Sequence, residues 1–443
     1  MTRMSQCTGL MIAAAGLIAA PAPAALSAVE RKMIATVEAE KERSITLLEK
    51  LVNINSGTMN PIGVEKVYQA IRPELEQLGF TVRWVPMGEV NRGGHLVAEH
   101  KGAAGTKRLL LIGHLDTVFE ASSPFQTFTR KGDTAEGPGV GDCKGGDVVM
   151  IAALRAMKAA GTLDKANIIV VLTGDEERIA SPVAVSRRAL IEAADRSDVA
   201  LDFEGMSRSK GKEMGSVSRR SSVAWTLTTS GHPAHSSAIF NEGVGYGAIY
   251  EMARILDGFR AQLRQPGLTF NVALLSGGET ASLNAGETGG TLAGKKNIVA
   301  GQAVALGDIR ALTDAQDAAT RAGMEAIVAR HLPGTSAKLE FREGYPAMPE
   351  TPGNLKVLAA LNGINKDMGL AQMAVLDPLG RGAGDISLVA SRLDSLAGMG
   401  TAGKGAHVPG ESIELDSLTL QAKRSALLMS RLGGQPRGAA KAR

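Results

Sequence analysis

The runs TVRWVP, HLVAEH, RLLLIGH, NIIVVLTGD and DVALDFEG alternate with amphipathic stretches, and this alternation restricts the chain more than any other feature. Short apolar runs bounded by polar or Gly residues read as strands. The segment 29–80 and the stretch GGDVVMIAALRAMKAAG space their apolar residues three and four apart, as helices do. Two helices are expected over 29–80. The alternation implies an α/β fold, a mostly parallel sheet flanked by helices. From 215 to 341 the pattern changes. SSVAWTLTTSGH, TFNVALLSGG, GKKNIVAGQAVALGDIRAL and SAKLEFREGY read as strands, and VGYGAIYEMARILDGFR and DAQDAATRAGMEAIVARHL as helices, which makes an α+β unit. LKVLAALNGINKDMGL and ISLVASRLDSLAGMG then resume the first pattern, so the middle unit reads as an insertion. The expected division is a leader over 1–28, a main domain over 29–214 and 342–433, an inserted domain over 215–341 and a frayed tail over 434–443.

The length of 443 residues suits two domains better than one. A net charge of +4 with Lys and Arg scattered among acids calls for no nucleic-acid partner, and 3% aromatic residues argue against a base-stacking or sugar-binding face. A small polar ligand fits better. At the N-terminus Arg3 precedes an apolar stretch, residues 9–20, and small residues at Ala22 and Ala24 have cleavage-site spacing. This reads as a secretory signal, since Pro21 and Pro23 would break a buried helix. A periplasmic or secreted protein with no membrane attachment after cleavage is expected. Cys7 would leave with the signal, and Cys143 alone forms no internal disulfide.

Three of the strands end in groups that can carry chemistry. RLLLIGH delivers His114, with Asp116 two residues on; NIIVVLTGD leads into Asp175, Glu176 and Glu177; DVALDFEG delivers Asp202 and Glu204. Between the first two, GPGVGDCKGG presents Asp142 in a Gly-rich loop that opens a helix. In open α/β sheets ligands bind outside the carboxyl ends of strands, so these side chains can converge. Each motif alone is weak: His-x-Asp occurs at surface turns, adjacent acids usually face solvent, and His407 in GKGAHVPGES reads as an ordinary loop histidine. Together they change the balance. Several carboxylates in one crevice repel one another unless a cation lies between them. Histidine with carboxylates suits zinc or cobalt better than an all-oxygen calcium cage, and a bridging Asp with one His and one Glu per metal leaves positions open.

In GHLDTV, GPGVGDCKGG, TGDEE, DFEG, SGHPAHSS, KKNIVA and KGAHVPGESI the chain resembles the di-zinc metallopeptidases that include carboxypeptidase G, aminoacylase and succinyl-diaminopimelate desuccinylase. The resemblance implies two Zn2+ ions per subunit, with Co2+ able to substitute. It implies that His114 and Glu204 hold one ion, Glu177 and His407 the other, and that Asp142 bridges them. Glu176 would be the general base and Asp116 the residue that orients His114. In the inserted domain, which the resemblance makes a dimerisation domain, His235 would reach across a homodimer to help hold the oxyanion. Asn297 and Arg310 would hold the substrate's carboxylate, with Arg381 beside them in GRGAGDISLVA; by itself Arg310 reads equally as a salt-bridged surface residue. Two positions depart from the family. Gly384 stands where a Thr is usual before Asp385, and Cys143 follows Asp142 where a second acid is common. The activity implied is hydrolysis of an amide next to a free carboxylate, releasing a C-terminal amino acid, with glutamate the family favourite. A deacylase of N-acyl amino acids or a dipeptidase shares the site, and a secreted binding protein would have lost Glu176. The substrate would be a small peptide or N-acyl amino acid.

Overall fold

Along the strand Arg108–His114 alternate residues enter two different cores. Leu109 and Leu111 face one, Leu110 and Ile112 the other, and Ile168/Val170 and Ile169/Val171 of the strand Asn167–Thr173 repeat the division. A strand buried on both faces needs this unbroken apolar run. The computed structural model describes residues 26–284 and 286–437. Its central sheet has six strands in the order Thr81–Pro86, Gly94–His100, Asn167–Thr173, Arg108–His114, Val199–Asp202 and Asp394–Leu396. The last four are mutually parallel, and Gly94–His100 runs against its neighbours on both sides. The mostly parallel α/β sheet expected from the sequence is therefore present.

Helices cover both faces. The larger core packs Lys144–Ala159, Leu415–Gly433 and the N-terminal helices against one side, and Arg188–Asp195 with Ile386, Val389 and Leu393 closes the other. Where two opening helices were expected there are three, Ala28–Ala39, Lys41–Val52 and Pro61–Glu76. The break falls at Glu40, and Asn60 caps the third helix by accepting from the Gly63 N–H. Residues 1–25 of the expected leader, Cys7 included, lie outside the described residues. The boundary expected at residue 28 runs into formed structure, because Ser27 and Glu30 make a capping box. Of the tail expected to fray, residues 434–437 are held: Lys107 N–H donates to Gln435 O at 2.9 Å, and Arg437 pairs with Asp198 at 3.0 Å.

A second sheet, in the order Thr269–Gly278, Gln302–Arg310, Val223–Gly231 and Thr335–Phe341, is antiparallel throughout. One face buries Trp225, Leu227, Ala305 and Ile309 under the helices Gly247–Gln262 and Asp314–Val328, a core separate from the other two. The hairpin Thr280–Leu283 and Gly290–Ala293 extends from its edge strand. No helix among the described residues is long and apolar enough to cross a membrane.

Candidate metal centre

Three adjacent parallel strands end on one line. Arg108–His114 lies between Asn167–Thr173 and Val199–Asp202, so His114 is flanked by the loops that carry Glu176 and Glu177 on one side and Glu204 on the other. Neighbouring strands are about 4.8 Å apart, which puts their first loop residues within reach of one ion. Asp142 arrives from the turn before Lys144–Ala159, and His407 from the loop between Gly403–Lys404 and Ser412–Glu414. His407 takes φ +68°, a conformation that costs a side-chain-bearing residue free energy and that aims the ring inward.

The two oxygens of Asp142 face two different imidazoles. Oδ1 is 3.0 Å from His114 Nε2 and Oδ2 is 3.1 Å from His407 Nε2. Glu177 Oε2 lies 3.2 Å from the same His407 nitrogen, while Glu177 Oε1 is buried with no hydrogen-bond partner. Glu204 and Glu176 form a second group with His114. The other His114 nitrogen, Nδ1, is 3.1 Å from the Asp116 carbonyl and 3.4 Å from its carboxylate. Asp116 also accepts from Thr58 Oγ1 at 2.6 Å and from the N–H groups of Glu176 and Glu177 at 3.0 and 3.1 Å, so it holds the histidine and the Glu176–Glu177 loop together.

Charge in this crevice is balanced unevenly. Burial, then the nearby charge of Glu204, raises the Glu176 carboxyl well above its ordinary range, and burial pushes Glu177 up to about 7. Burial also opposes ionisation of Asp142, yet hydrogen bonds from both histidines hold it below the usual carboxylate range. Asp142, Glu177 and Glu204 with His114 and His407 make a donor set of mixed nitrogen and oxygen, and the unpartnered Glu177 oxygen fits a cation. A bridging carboxylate between two His/Glu pairs fits two ions. The cavity above them, about 380 Å³, is walled by Asp142, Glu176, Glu204, Arg381, Lys404 and His407 among others.

The remaining residues singled out in the sequence divide into near and far. Arg381 lies at the cavity, but its guanidinium is committed to Glu204 Oε2 at 2.9 Å, Gly205 O at 2.6 Å and Ser207 Oγ at 2.8 Å. Arg310 pairs with Asp308 at 2.8 Å and comes up to the Gly382 backbone beside the cavity. His235 and Asn297 do not join them. They sit together on an exposed turn, where Ser236 N–H donates to Asn297 O at 2.9 Å, beyond the Gln302 end of the strand whose other end is Arg310. Eight strand steps of about 3.3 Å separate those ends by roughly 26 Å. Within one chain, therefore, Asn297 and Arg310 cannot hold the same carboxylate.

Both departures from the family acquire a reason. A Cβ on Gly384 would meet Arg219 Nη1 at 2.5 Å and Glu204 Oε1 at 2.6 Å, so a Thr there would require the guanidinium and carboxylate already in place to shift. Cys143 is buried and its sulfur accepts from the His114 N–H at 3.3 Å, which steadies the histidine's backbone. Sequence reading passed over several residues. Arg219, 3% exposed, donates to Asp202 and Glu204 at 3.1 Å each and to the carbonyls of Gly382 and Ala383. Glu411 accepts from the N–H groups of Gly139, Gly141 and Asp142 at 2.8–2.9 Å and so fixes the loop that carries Asp142. Its place four residues after His407 in one motif was the available signal; Arg219 had none.

The model of Peptidase family M20/M25/M40 matches residues 110–431, and the chain belongs to that family. It is a hydrolase acting on amide or peptide bonds. Carboxypeptidase G2 of Pseudomonas sp. (strain RS-16) is 28% identical over 401 residues, 89% of this chain and 90% of the relative. Among solved structures, an aminopeptidase from Bacillus cereus superposes with a TM-score of 0.72 at 17% identity, covering 88% of this chain and 98% of its own. A Bacillus subtilis protein described as a dinuclear metal binding peptidase of the M20 family superposes at 0.62 with 15% identity, over 89% and 99%. At these identities the two structures speak for the fold.

Proposed function

We propose that the chain is a zinc-dependent exopeptidase of the glutamate carboxypeptidase kind, which cleaves an amide next to a free carboxylate and releases a C-terminal amino acid. The observation that carries this is the division of labour between neighbouring acids: Glu177 turns to His407 and Asp142, while Glu176 turns to the other side of His114 and has no hydrogen-bond partner for its carboxylate among the described residues. His114, Asp142, Glu177, Glu204 and His407 would hold two zinc ions, which when bound would polarise the scissile carbonyl and favour ionisation of water. Glu176, its carboxyl raised above the ordinary range by burial, accepts the proton of the attacking water and returns it to the leaving amine. Arg310, beside the Gly382 backbone, is placed to receive the free carboxylate in two parallel hydrogen bonds. The 28% identity to carboxypeptidase G2 over nearly its whole length favours the carboxypeptidase reading.

The native state in this reading is a homodimer exported to the periplasm or beyond. Ile249, Tyr250 and Leu275 are 49%, 53% and 57% exposed beside Thr269–Gly278, a strand with an unpaired edge. Apolar surface next to an open sheet edge suits a second copy. That copy would supply the His235 and Asn297 that this chain keeps away from its own metals. Export is proposed on the leader pattern expected over residues 1–28.

Replacing Glu176 by Gln tests the chemistry. Turnover of N-acyl glutamates should fall by at least about a hundredfold, while zinc measured by atomic absorption stays at two per subunit. Near wild-type turnover in that variant would remove Glu176 from its role. A panel of N-acyl amino acids, glutamyl amides and dipeptides followed by mass spectrometry identifies the released residue.

A further inference from the structure

Two segments, residues 215–222 and 342–348, carry the chain between the central sheet and the second sheet, and they run as an antiparallel ribbon. Arg219 and Met348 exchange backbone hydrogen bonds at 2.8 and 2.9 Å, and Ser222 and Tyr345 at 2.9 and 3.0 Å. Side chains from both strands of the ribbon enter the metal centre. From one, Arg219 reaches Glu204. From the other, the Tyr345 hydroxyl donates to the carbonyl oxygen of Glu176 at 2.8 Å and accepts from Arg187 Nη2 at 3.2 Å. Arg187 is itself wholly buried between Asp175 and Asp385, and Asp385 accepts from Thr173 Oγ1 at 2.5 Å.

The backbone around Glu176 is thus fixed from two sides. The N–H groups of Glu176 and Glu177 are held by Asp116, which stands at the end of the neighbouring strand. The Glu176 carbonyl is held by Tyr345, which stands on the ribbon. Because no side chain among the described residues hydrogen-bonds the Glu176 carboxylate, its aim depends on this backbone. A base that transfers a proton over a hydrogen bond tolerates displacement of only a fraction of an ångström.

We propose that Tyr345 is a positioning residue for Glu176: its phenol ties the ribbon that carries the second sheet to the peptide that carries the base. Where the ribbon sits then helps decide whether the base is aimed. The inference rests on Glu176 being the base. It is separable from that reading because it concerns the height of kcat with the carboxylate still present.

The test compares wild type, Glu176→Gln and Tyr345→Phe as full-length zinc-loaded proteins on one N-acyl amino acid that the wild type cleaves. Tyr345→Phe keeps the ring and removes one hydroxyl. Its kcat should fall about tenfold, the worth of one well-placed hydrogen bond, with KM within about twofold and zinc content unchanged. Hydrogen exchange followed by mass spectrometry should quicken in the peptide spanning residues 174–178 and, beyond it, only in the ribbon. A kcat within about twofold of wild type at equal zinc content overturns the proposal. So does a loss of kcat accompanied by loss of zinc or by faster exchange across the whole chain, which a merely structural hydroxyl would give. If Glu176→Gln keeps its turnover, the base assignment fails instead.

Discussion

His407 is one histidine whose proton must move when metal enters, and His114 is raised in the same direction. In the metal-free chain hydrogen bonds to Asp142 and Glu177 raise the His407 pKa to about 11, whereas burial leaves Glu177 at about 7. A histidine ligates metal as neutral imidazole. Near pH 8 Glu177 is largely ionised and His407 is still imidazolium, so uptake of metal should expel about one proton per subunit from this pair. The sign follows from the direction of each shift. Below about pH 7 Glu177 also has to lose its proton, so the number released rises and affinity falls; above about pH 11 the His407 contribution vanishes. The same raised value means that the imidazolium stabilises the metal-free fold fully below the ordinary histidine pKa of 6.5 and ceases to do so as pH climbs through 11. Titration calorimetry in buffers of different ionisation enthalpy counts the protons. Zero protons near pH 8 would mean a neutral His407 and a different arrangement of the pair.

Among the elements, the helix Lys144–Ala159 shows how closely the site is built against its support. A Cβ on Gly146 would overlap the carbonyl oxygen of Phe203, the residue before Glu204. Gly146→Ala should therefore push the helix start away from the Glu204 strand, lowering stability by about 1–3 kcal/mol and weakening zinc binding in parallel. Thermal melting and a chelator competition read the two losses, and an unshifted melt would show that the helix simply slides. The strands of the central sheet were legible because burial on both faces requires continuous Leu, Ile and Val. Helix Leu415–Gly433 escaped notice for the opposite reason. Its apolar stripe, Leu415, Leu418, Ala422, Ala426, Met429 and Leu432, is flanked by buried Ser417, Thr419, Gln421, Arg424 and Ser425, and these polar neighbours mask it. Likewise the break at Glu40 lies inside one continuous amphipathic pattern and involves neither Gly nor Pro.

For the whole molecule, the motifs name the site residues but not the ends of the sheets on which they stand. His114, Asp116, Glu176, Glu177 and Glu204 could be gathered because strand ends of a parallel sheet share one edge, whereas Asp142 and His407 stand on separate loops and were joined to them through the motifs GPGVGDCKGG and KGAHVPGESI. His235 and Asn297 belong to an antiparallel sheet, where consecutive strand ends lie at opposite edges. Pattern alone could not place them relative to Arg310, and the structure puts them a sheet length away. If two copies complete each other's sites, an inactive Glu176→Gln copy paired with an inactive His235→Ala copy forms one intact site from the Glu176 of one and the His235 of its partner. After equal mixing and subunit exchange half the dimers are mixed and each has one working site of two, so activity should return to about a quarter of wild type. Sedimentation establishes that dimers are present, and mass spectrometry of tagged copies establishes exchange. Exchanged dimers with no recovered activity would mean that His235 serves its own chain after a large movement of the second sheet, or serves no site at all.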